Sequence, residues 1–467
     1  MTRVLDALLS AAIVVVGAMV VSVLAMLLRS VPRASRGGGL VGLAGPGRRR
    51  GPRRIVYLGT GRIAQVFPRN GVNLFLEREC SDFDGYFEQM WNVHFPAGGR
   101  GRLDLTPRHH LLDVDFCLPV GLDGRRLRLA ATAWRELAFL VWLLPFLARS
   151  RASIVTATNP YLQGLNAALA ARLLGLPYAV IITRDYDWDW SVLGKQAFGS
   201  VYPTRRLERS VGRWVLRHAD LVLADRAYYR DFAVRNGAAA ERAIATRVLA
   251  DTLYAHAQPS AEVRARYGLA SGPLLTYVGR LDADKFPLDL VECLALVHQH
   301  FPTAVLACAG SGTFGEEVSQ RAAELGLGDQ VRLLGVLDLA ELAALVASSD
   351  AVVAPHMGYT LVEAGLTGVP VVTYDYDFHS EIVTDGETGY LAPLRDVRGL
   401  ADRVCRVLAD PDASRAVGKR LREQLLREHS LAAVVPLYRQ AYARVLEPEA
   451  STGAGVAGRA PREARTC

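Results

Sequence analysis

The sequence predicts an α/β chain of two doubly wound, parallel-sheet halves in tandem, preceded by an N-terminal apolar helix. Three observations lead there. Short β-branched runs alternate with helix-like runs from residue 54 to about 255, which is the rhythm of strand–helix–strand units. The rhythm breaks near 256–273 and then restarts. A chain of 467 residues is also long enough for two or three separate cores.

In chain order, Ala7 to Leu28 comes first, an uncharged run of 22 residues. As a helix it would be about 33 Å long, enough for a bilayer core, and it exceeds the roughly 7–15 residues of a secretory apolar segment. Arg29, Arg33, Arg36, Arg48, Arg49, Arg50, Arg53 and Arg54 follow it. By the positive-inside rule this places the body in the cytoplasm and the N-terminus outside, a single-pass topology at the cell membrane. Residues 30 to 54 are rich in Arg, Gly and Pro and read as a basic linker able to lie on anionic headgroups. Anchor and linker together make a first segment, 1–54.

Arg54-Ile-Val-Tyr-Leu-Gly reads as a buried strand entering a glycine turn. Ser153-Ile-Val-Thr-Ala-Thr, Tyr178-Ala-Val-Ile-Ile-Thr and Ala219-Asp-Leu-Val-Leu-Ala read as further strands, with helices at Leu162 to Leu174 and Val211 to His218. They define a first Rossmann-like domain, 55–262. Strands starting at Leu274, Ala304, Gln330, Asp350 and Pro370 define a second, 263–430, and two such domains in tandem imply a central cleft. Helices are expected at 400–408 and 413–447, with 431–448 packing back on the body. The small, polar residues 449–467 are expected to be a disordered tail.

Composition narrows the function classes. The chain is 51% hydrophobic and 22% charged, as expected of a folded α/β chain. Its net charge of +7 comes largely from the arginines after the apolar run, so it reads as a membrane-facing feature. No nucleic-acid recognition motif accompanies it. The six cysteines, Cys80, Cys117, Cys293, Cys308, Cys405 and Cys467, are scattered and suggest neither a disulfide framework nor a zinc site.

The candidate chemistry sits at strand ends. Val278-Gly-Arg-Leu-Asp-Ala-Asp-Lys285 places Arg280 and Lys285 after a strand, with Gly279 allowing close backbone approach. Two cations there could hold a diphosphate, Arg by its fork and Lys as a point charge. Only three of the 54 basic side chains are lysines, which gives Lys285 some weight, although an exposed charged turn would read the same way. Gly310-Ser-Gly312 follows the next strand and is a weak phosphate signal. Glu363 opens the run Glu-Ala-Gly-Leu-Thr-Gly-Val-Pro at the rim where parallel strands end. A carboxylate there suits a ribose diol, and it also suits the first turn of any helix.

Taken in order, strand-Gly-Arg-x4-Lys, strand-Gly-x-Gly, Leu361-Val-Glu-Ala-Gly-Leu-Thr-Gly-Val-Pro-Val-Val and Ser380-Glu-Ile-Val-Thr-Asp-Gly-Glu-Thr-Gly-Tyr resemble the C-terminal domain of retaining family 4 glycosyltransferases. The resemblance covers about residues 274 to 395. It implies the GT-B fold, with the nucleotide-sugar donor in the second domain and the acceptor on the first. Arg280 and Lys285 would grip the diphosphate and stabilise the leaving group. Glu363 would bind the ribose, and the backbone near Leu361 and Val362 would meet the nucleotide. Gly358 is retained, Glu381 matches the family's later glutamate, and Gly59, Gly61, Gly279, Gly310 and Gly312 would lie near the donor.

This chain departs from the family pattern. The family carries a pair of glutamates eight positions apart, and Pro355 stands in the first place, with His356 beside it. Asp377-Phe378 replaces a Gly-Gly pair. His356 and His379 both lie where they could serve sugar hydroxyls. In the first domain, Thr158-Asn-Pro-Tyr161 lacks the family's histidine, and Arg184-Asp185 stands in place of His-Asp. Asn159, Tyr161, Asp185, Tyr186, Asp187, Trp188 and Trp190 are the expected acceptor set, because rings stack on sugar faces while carboxylates accept hydroxyl hydrogens. Asp185 is the nearest candidate for a catalytic helper.

No metal and no cofactor beyond a UDP- or GDP-linked sugar is expected. The implied function is a membrane-anchored hexosyltransferase acting on a lipid-linked or cell-surface glycan precursor with retention. A catalytically silent scaffold of the same fold and a sugar-nucleotide epimerase are the alternative readings.

Overall fold

The computed structural model describes residues 52–63, 83–116, 125–249, 252–269 and 272–447. The apolar run at 7–28, the linker up to residue 51 and the tail from 448 lie outside the described residues.

The first half is an eight-stranded sheet. Its strands are β1 (Arg54–Gly59), β2 (Gln89–His94), β3 (Gly101–Thr106), β4 (His109–Asp113), β5 (Ile154–Ala157), β6 (Tyr178–Ile182), β7 (Leu221–Ala224) and β8 (Ala243–Ala245). They lie in the order β3-β4-β2-β1-β5-β6-β7-β8. Strands β5 and β7 are buried along their whole length, because helices cover both faces of a parallel sheet and leave no polar side. The sheet is parallel except at one edge, where β3 and β4 run antiparallel. Only Pro107 and Arg108 join these two strands, and so short a connection can make a hairpin but not a crossover.

The second half has six strands: β9 (Leu274–Val278), β10 (Val305–Ala309), β11 (Val331–Gly335), β12 (Ala351–Ala354), β13 (Val371–Asp375) and β14 (Tyr390–Pro393). Their order is β11-β10-β9-β12-β13-β14, and all are parallel. The chain steps outward from β9 to β11, then returns to the other side of β9 as β12. The crevice between the ends of β9 and β12 is therefore a topological switch point, the place where such sheets bind ligands.

The loops after β9 and β10 lie directly on each other. Leu281 N–H donates to Ser311 O at 3.2 Å. A Cβ at Gly310 would sit 1.9 Å from Gly279 O, and one at Gly312 would sit 2.3 Å from Leu281 O. These two glycines are thus required by backbone packing whatever else they touch.

Two local expectations change. The expected acceptor residues from Tyr186 to Trp190 lie in a helix, Tyr186–Leu193. Asp185 nucleates it by accepting hydrogen bonds from Asp187 N and Trp188 N at 2.9 and 3.0 Å. The single helix expected at 413–447 is two, Pro411–Glu428 and Leu431–Leu446. Ser430 separates them by capping the second.

The last helix lies on the first sheet. Buried Tyr442 places its hydroxyl 3.2 Å from Tyr57 Oη and 3.3 Å from Thr156 Oγ1, with its ring edge-on to Phe87. The chain therefore passes between the halves twice, once between Thr246 and Ser260 and again near His429. The two passages are tied together, since His429 Nδ1 donates to Val248 O at 2.7 Å.

Among the described residues, one helical stretch, Ala131–Ser150, is long and apolar enough to cross a membrane. Its Phe139, Leu143 and Leu147 are buried in the first core, whereas Trp134 and Val141 are exposed.

Burial lowers the pKa of His429 to about 4, against about 6.5 in an unfolded chain. Between those values the unfolded state binds the extra proton, so stability present above pH 6.5 is lost as pH falls toward 4. His429→Gln should accordingly lose less melting temperature than the native chain between pH 6.5 and 5 in thermal melts. Gly312→Ala should destabilise by about 1–3 kcal/mol from forced overpacking. At Gly358 a Cβ meets nothing within 4 Å, so Gly358→Ala should stay within about 0.5 kcal/mol in denaturant titrations.

Candidate active site

The loop after β9 carries the predicted cations. Arg280 pairs with Asp282 and, at 3.2 Å, with Asp284. Lys285 Nζ lies 3.4 Å from the same Asp284 carboxylate. Asp284 is buried and sits between the two cations, so Arg280 and Lys285 converge on one carboxylate. They differ in setting, because the Arg280 side chain is 61% exposed and that of Lys285 only 15%. Burial lowers the Lys285 pKa, and the neighbouring Asp284 charge partly opposes this.

The loop after β12 closes on the same point. His356 Nδ1 lies 2.7 Å from Asp284 O and 3.3 Å from Lys285 Nζ. A carbonyl oxygen can only accept, so Nδ1 carries a proton toward it. Gly358 follows, and then the helix Thr360–Leu366 with Leu361, Val362 and Glu363 buried in its first turn. His379 has a different role. Its Nδ1 lies 2.8 Å from Thr373 Oγ1, and its Nε2 lies 3.0 Å from Met357 O. Burial pushes its pKa down to about 4. It is a neutral strut between the β12 and β13 loops and is not placed to serve a sugar hydroxyl.

The first half contributes Trp188, whose ring centroid stands 4.5 Å from that of Tyr376 and 6.0 Å from that of His356. The other expected acceptor residues do not gather beside it. Asp185 caps its helix and pairs with Arg235 at 2.9 Å, and burial raises its pKa. Asp187 pairs with Arg205 at 2.7 Å and accepts from Asn236 Nδ2 at 2.9 Å. Tyr186 is buried against Tyr161 and Phe232. Trp190 is exposed, 5.9 Å from the Arg205 guanidinium. Asn159 and Tyr161 are buried, with Tyr161 N donating to Asn159 Oδ1 at 3.0 Å and Arg205 donating to Tyr161 Oη at 3.3 Å. Gly59 ends β1 against His94 and Thr158, and Gly61 follows with a φ of 119°. Among the described residues no three His, Cys, Asp or Glu side chains gather around a possible metal ion.

Several elements of the site were not anticipated. Asp284 read as part of a charged turn, and nothing in one dimension says that it joins both cations. Asp377 and Tyr376 carry a weak signal, as an Asp-Tyr-Asp run at the end of β13. Cross-half contacts also surround the cleft. Glu381 accepts from Ala227 N at 3.0 Å and from Tyr228 N, Tyr229 donates to Asp377 Oδ2 at 3.0 Å, and Tyr359 donates to Asp225. A cavity of about 370 Å³ opens on the first half between Arg100, Asp113, Phe116 and Trp142.

Comparison with known proteins gives this geometry a family. The model for a glycosyl transferase 4-like domain matches residues 96–247, and the model for glycosyl transferases group 1 matches residues 261–424. The chain is 27% identical over 323 residues to an alpha-D-kanosaminyltransferase of Streptomyces kanamyceticus, covering 64% of this chain and 80% of that one. It is 28% identical over 261 residues to a GDP-mannose-dependent alpha-(1-6)-phosphatidylinositol monomannoside mannosyltransferase of Mycolicibacterium smegmatis, covering 53% and 65% respectively. The fold matches the crystal structure of Anabaena HepE in complex with UDP-glucose with a TM-score of 0.62 at 17% identity, over 84% of this chain and 99% of that one. With the two family models following each other along the chain and both sheets in the matching architecture, this chain belongs to the family 4-like glycosyltransferases of GT-B fold and is a hexosyltransferase.

Proposed function

We propose that the chain transfers a hexose from a UDP- or GDP-linked donor to a lipid-linked or cell-surface glycan precursor, with retention, at the cytoplasmic face of a membrane. The observation that carries the donor assignment is the convergence of Arg280 and Lys285 on Asp284, with the β12 loop closing over Lys285. An incoming diphosphate replaces Asp284 as the partner of both cations. As the glycosidic bond to the leaving group breaks, negative charge grows on the diphosphate, and cations already in position stabilise it there. Glu363, at the start of the helix beside this loop, takes the ribose hydroxyls. No side-chain base is needed, because the departing phosphate oxygen can receive the acceptor proton.

The acceptor enters from the first half, where Trp188 faces the donor loops and the cavity beside Trp142 lies open. The uncharged run at 7–28 and the arginines that follow hold the body where lipid-linked acceptors reside. A relative whose name specifies a phosphatidylinositol mannoside acceptor supports that acceptor class, and a structural neighbour bound to UDP-glucose supports the donor class.

Thermal melts of the full chain in detergent with UDP, GDP, ADP and their sugar conjugates test the donor assignment. A ligand of the folded state adds about 2.7 kcal/mol at a hundredfold excess over its dissociation constant. A clear shift with one nucleotide family is expected, and no shift with any of them would remove the assignment. Lys285→Ala should lower turnover at least tenfold, which is about 1.4 kcal/mol of barrier. Unchanged turnover would show that Lys285 does not hold the leaving group.

A further inference from the structure

We propose that Asp377, working with His356, is the sugar-recognition residue of the donor site and receives hydroxyl hydrogens of the transferred hexose. The proposal rests on the reading that the second half binds a nucleotide sugar.

Asp377 lies just past the end of β13, with a left-handed φ of 57°. Asp adopts that conformation more readily than most residues, and strained positions of this kind cluster at functional sites. Its side chain is only 10% exposed. Oδ2 accepts from Tyr229 Oη at 3.0 Å, while Oδ1 is buried with no hydrogen-bond partner. A buried carboxylate oxygen left unpaired is costly, and each such case calls for an explanation.

The surroundings specify what would complete it. His356 Nδ1 donates to Asp284 O at 2.7 Å, which holds the ring with Nε2 toward Asp377. Nε2 lies 3.5 Å from Asp377 Oδ2, while Oδ1 stays unpaired. Beside them the buried Tyr376 hydroxyl also has no partner, and its ring lies 4.8 Å from His356. The cluster therefore leaves one buried acceptor, Asp377 Oδ1, and one buried hydroxyl, that of Tyr376, without partners, and a polyol, whose hydroxyls both donate and accept, can serve both. A phosphate would not serve, because the carboxylate would repel it. The position fits as well, since Lys285 Nζ is 3.3 Å from His356 and a hexose is covalently attached to the diphosphate that Lys285 would hold. Trp188 covers Tyr376 from the first half, so the hexose enters as that ring lifts.

The test measures binding of UDP, GDP and their hexose conjugates to the full chain in detergent by titration calorimetry. Asp377→Asn should bind the bare nucleoside diphosphate within twofold of native and the sugar conjugate at least tenfold more weakly. Tyr229→Phe, which removes one of the hydrogen bonds across the halves but keeps the Asp377 carboxylate, should leave the bare nucleotide near native and weaken the conjugate much less than Asp377→Asn does. The proposal is overturned if Asp377→Asn binds the conjugate as well as native, if it loses both ligands equally, or if Tyr229→Phe reproduces its loss. If the native chain binds none of these ligands, the donor reading itself falls and takes the proposal with it.

Discussion

The second half depends on one constraint, the side-by-side placement of β9 and β12. Because the chain leaves β9 in one direction and returns on its other side, no helix can fill the space above that pair. The loops that emerge there must find partners in each other. This is why a cation from the β9 loop, a histidine from the β12 loop and a carboxylate from beyond β13 can meet although none is near the others in sequence. The glycines after β10 serve the same end by letting the third loop lie flat beneath the first.

The buried central strands, and Arg280 and Lys285 at the end of β9, were legible because they depend on local chemistry, whereas β2, β3, β4, β8 and β14 were not read from the sequence. Buried parallel strands announce themselves as short β-branched runs, and a lysine in a chain so rich in arginine is noticeable. The helix at Tyr186–Leu193 was also locally encoded, and its cap was misread. Asp185 looked like a sugar ligand because Asp and aromatic residues alternate there, yet its oxygens are committed to backbone N–H groups and Arg235. The same residue types suit a capped helix and a carbohydrate platform, and only hydrogen-bond accounting separates the two.

Illegible contacts were those that join the halves. Trp188 against Tyr376, Glu381 at the start of the helix Ala227–Arg235, and Tyr229 on Asp377 link residues separated by most of a domain. No periodicity or motif connects them. Glu381 illustrates the difficulty, since its family position could be matched from sequence while its attachment to a helix N-terminus in the other half could not. A carboxylate there also gains from the helix dipole, so one side chain adds both hydrogen bonds and charge complementarity to the closure.

The double passage of the chain between the halves has a mechanical meaning. A single connecting strand would leave one half free to swivel and drift relative to the other. Two connections, stitched together where His429 meets Val248, behave like the two knuckles of a door hinge. Any relative motion of the halves would then pivot near this tie, which would move the mouth of the cleft more than its base. Each swing would carry Trp188 away from Tyr376 and back along the same arc, so the site would reassemble in the same register after every turnover.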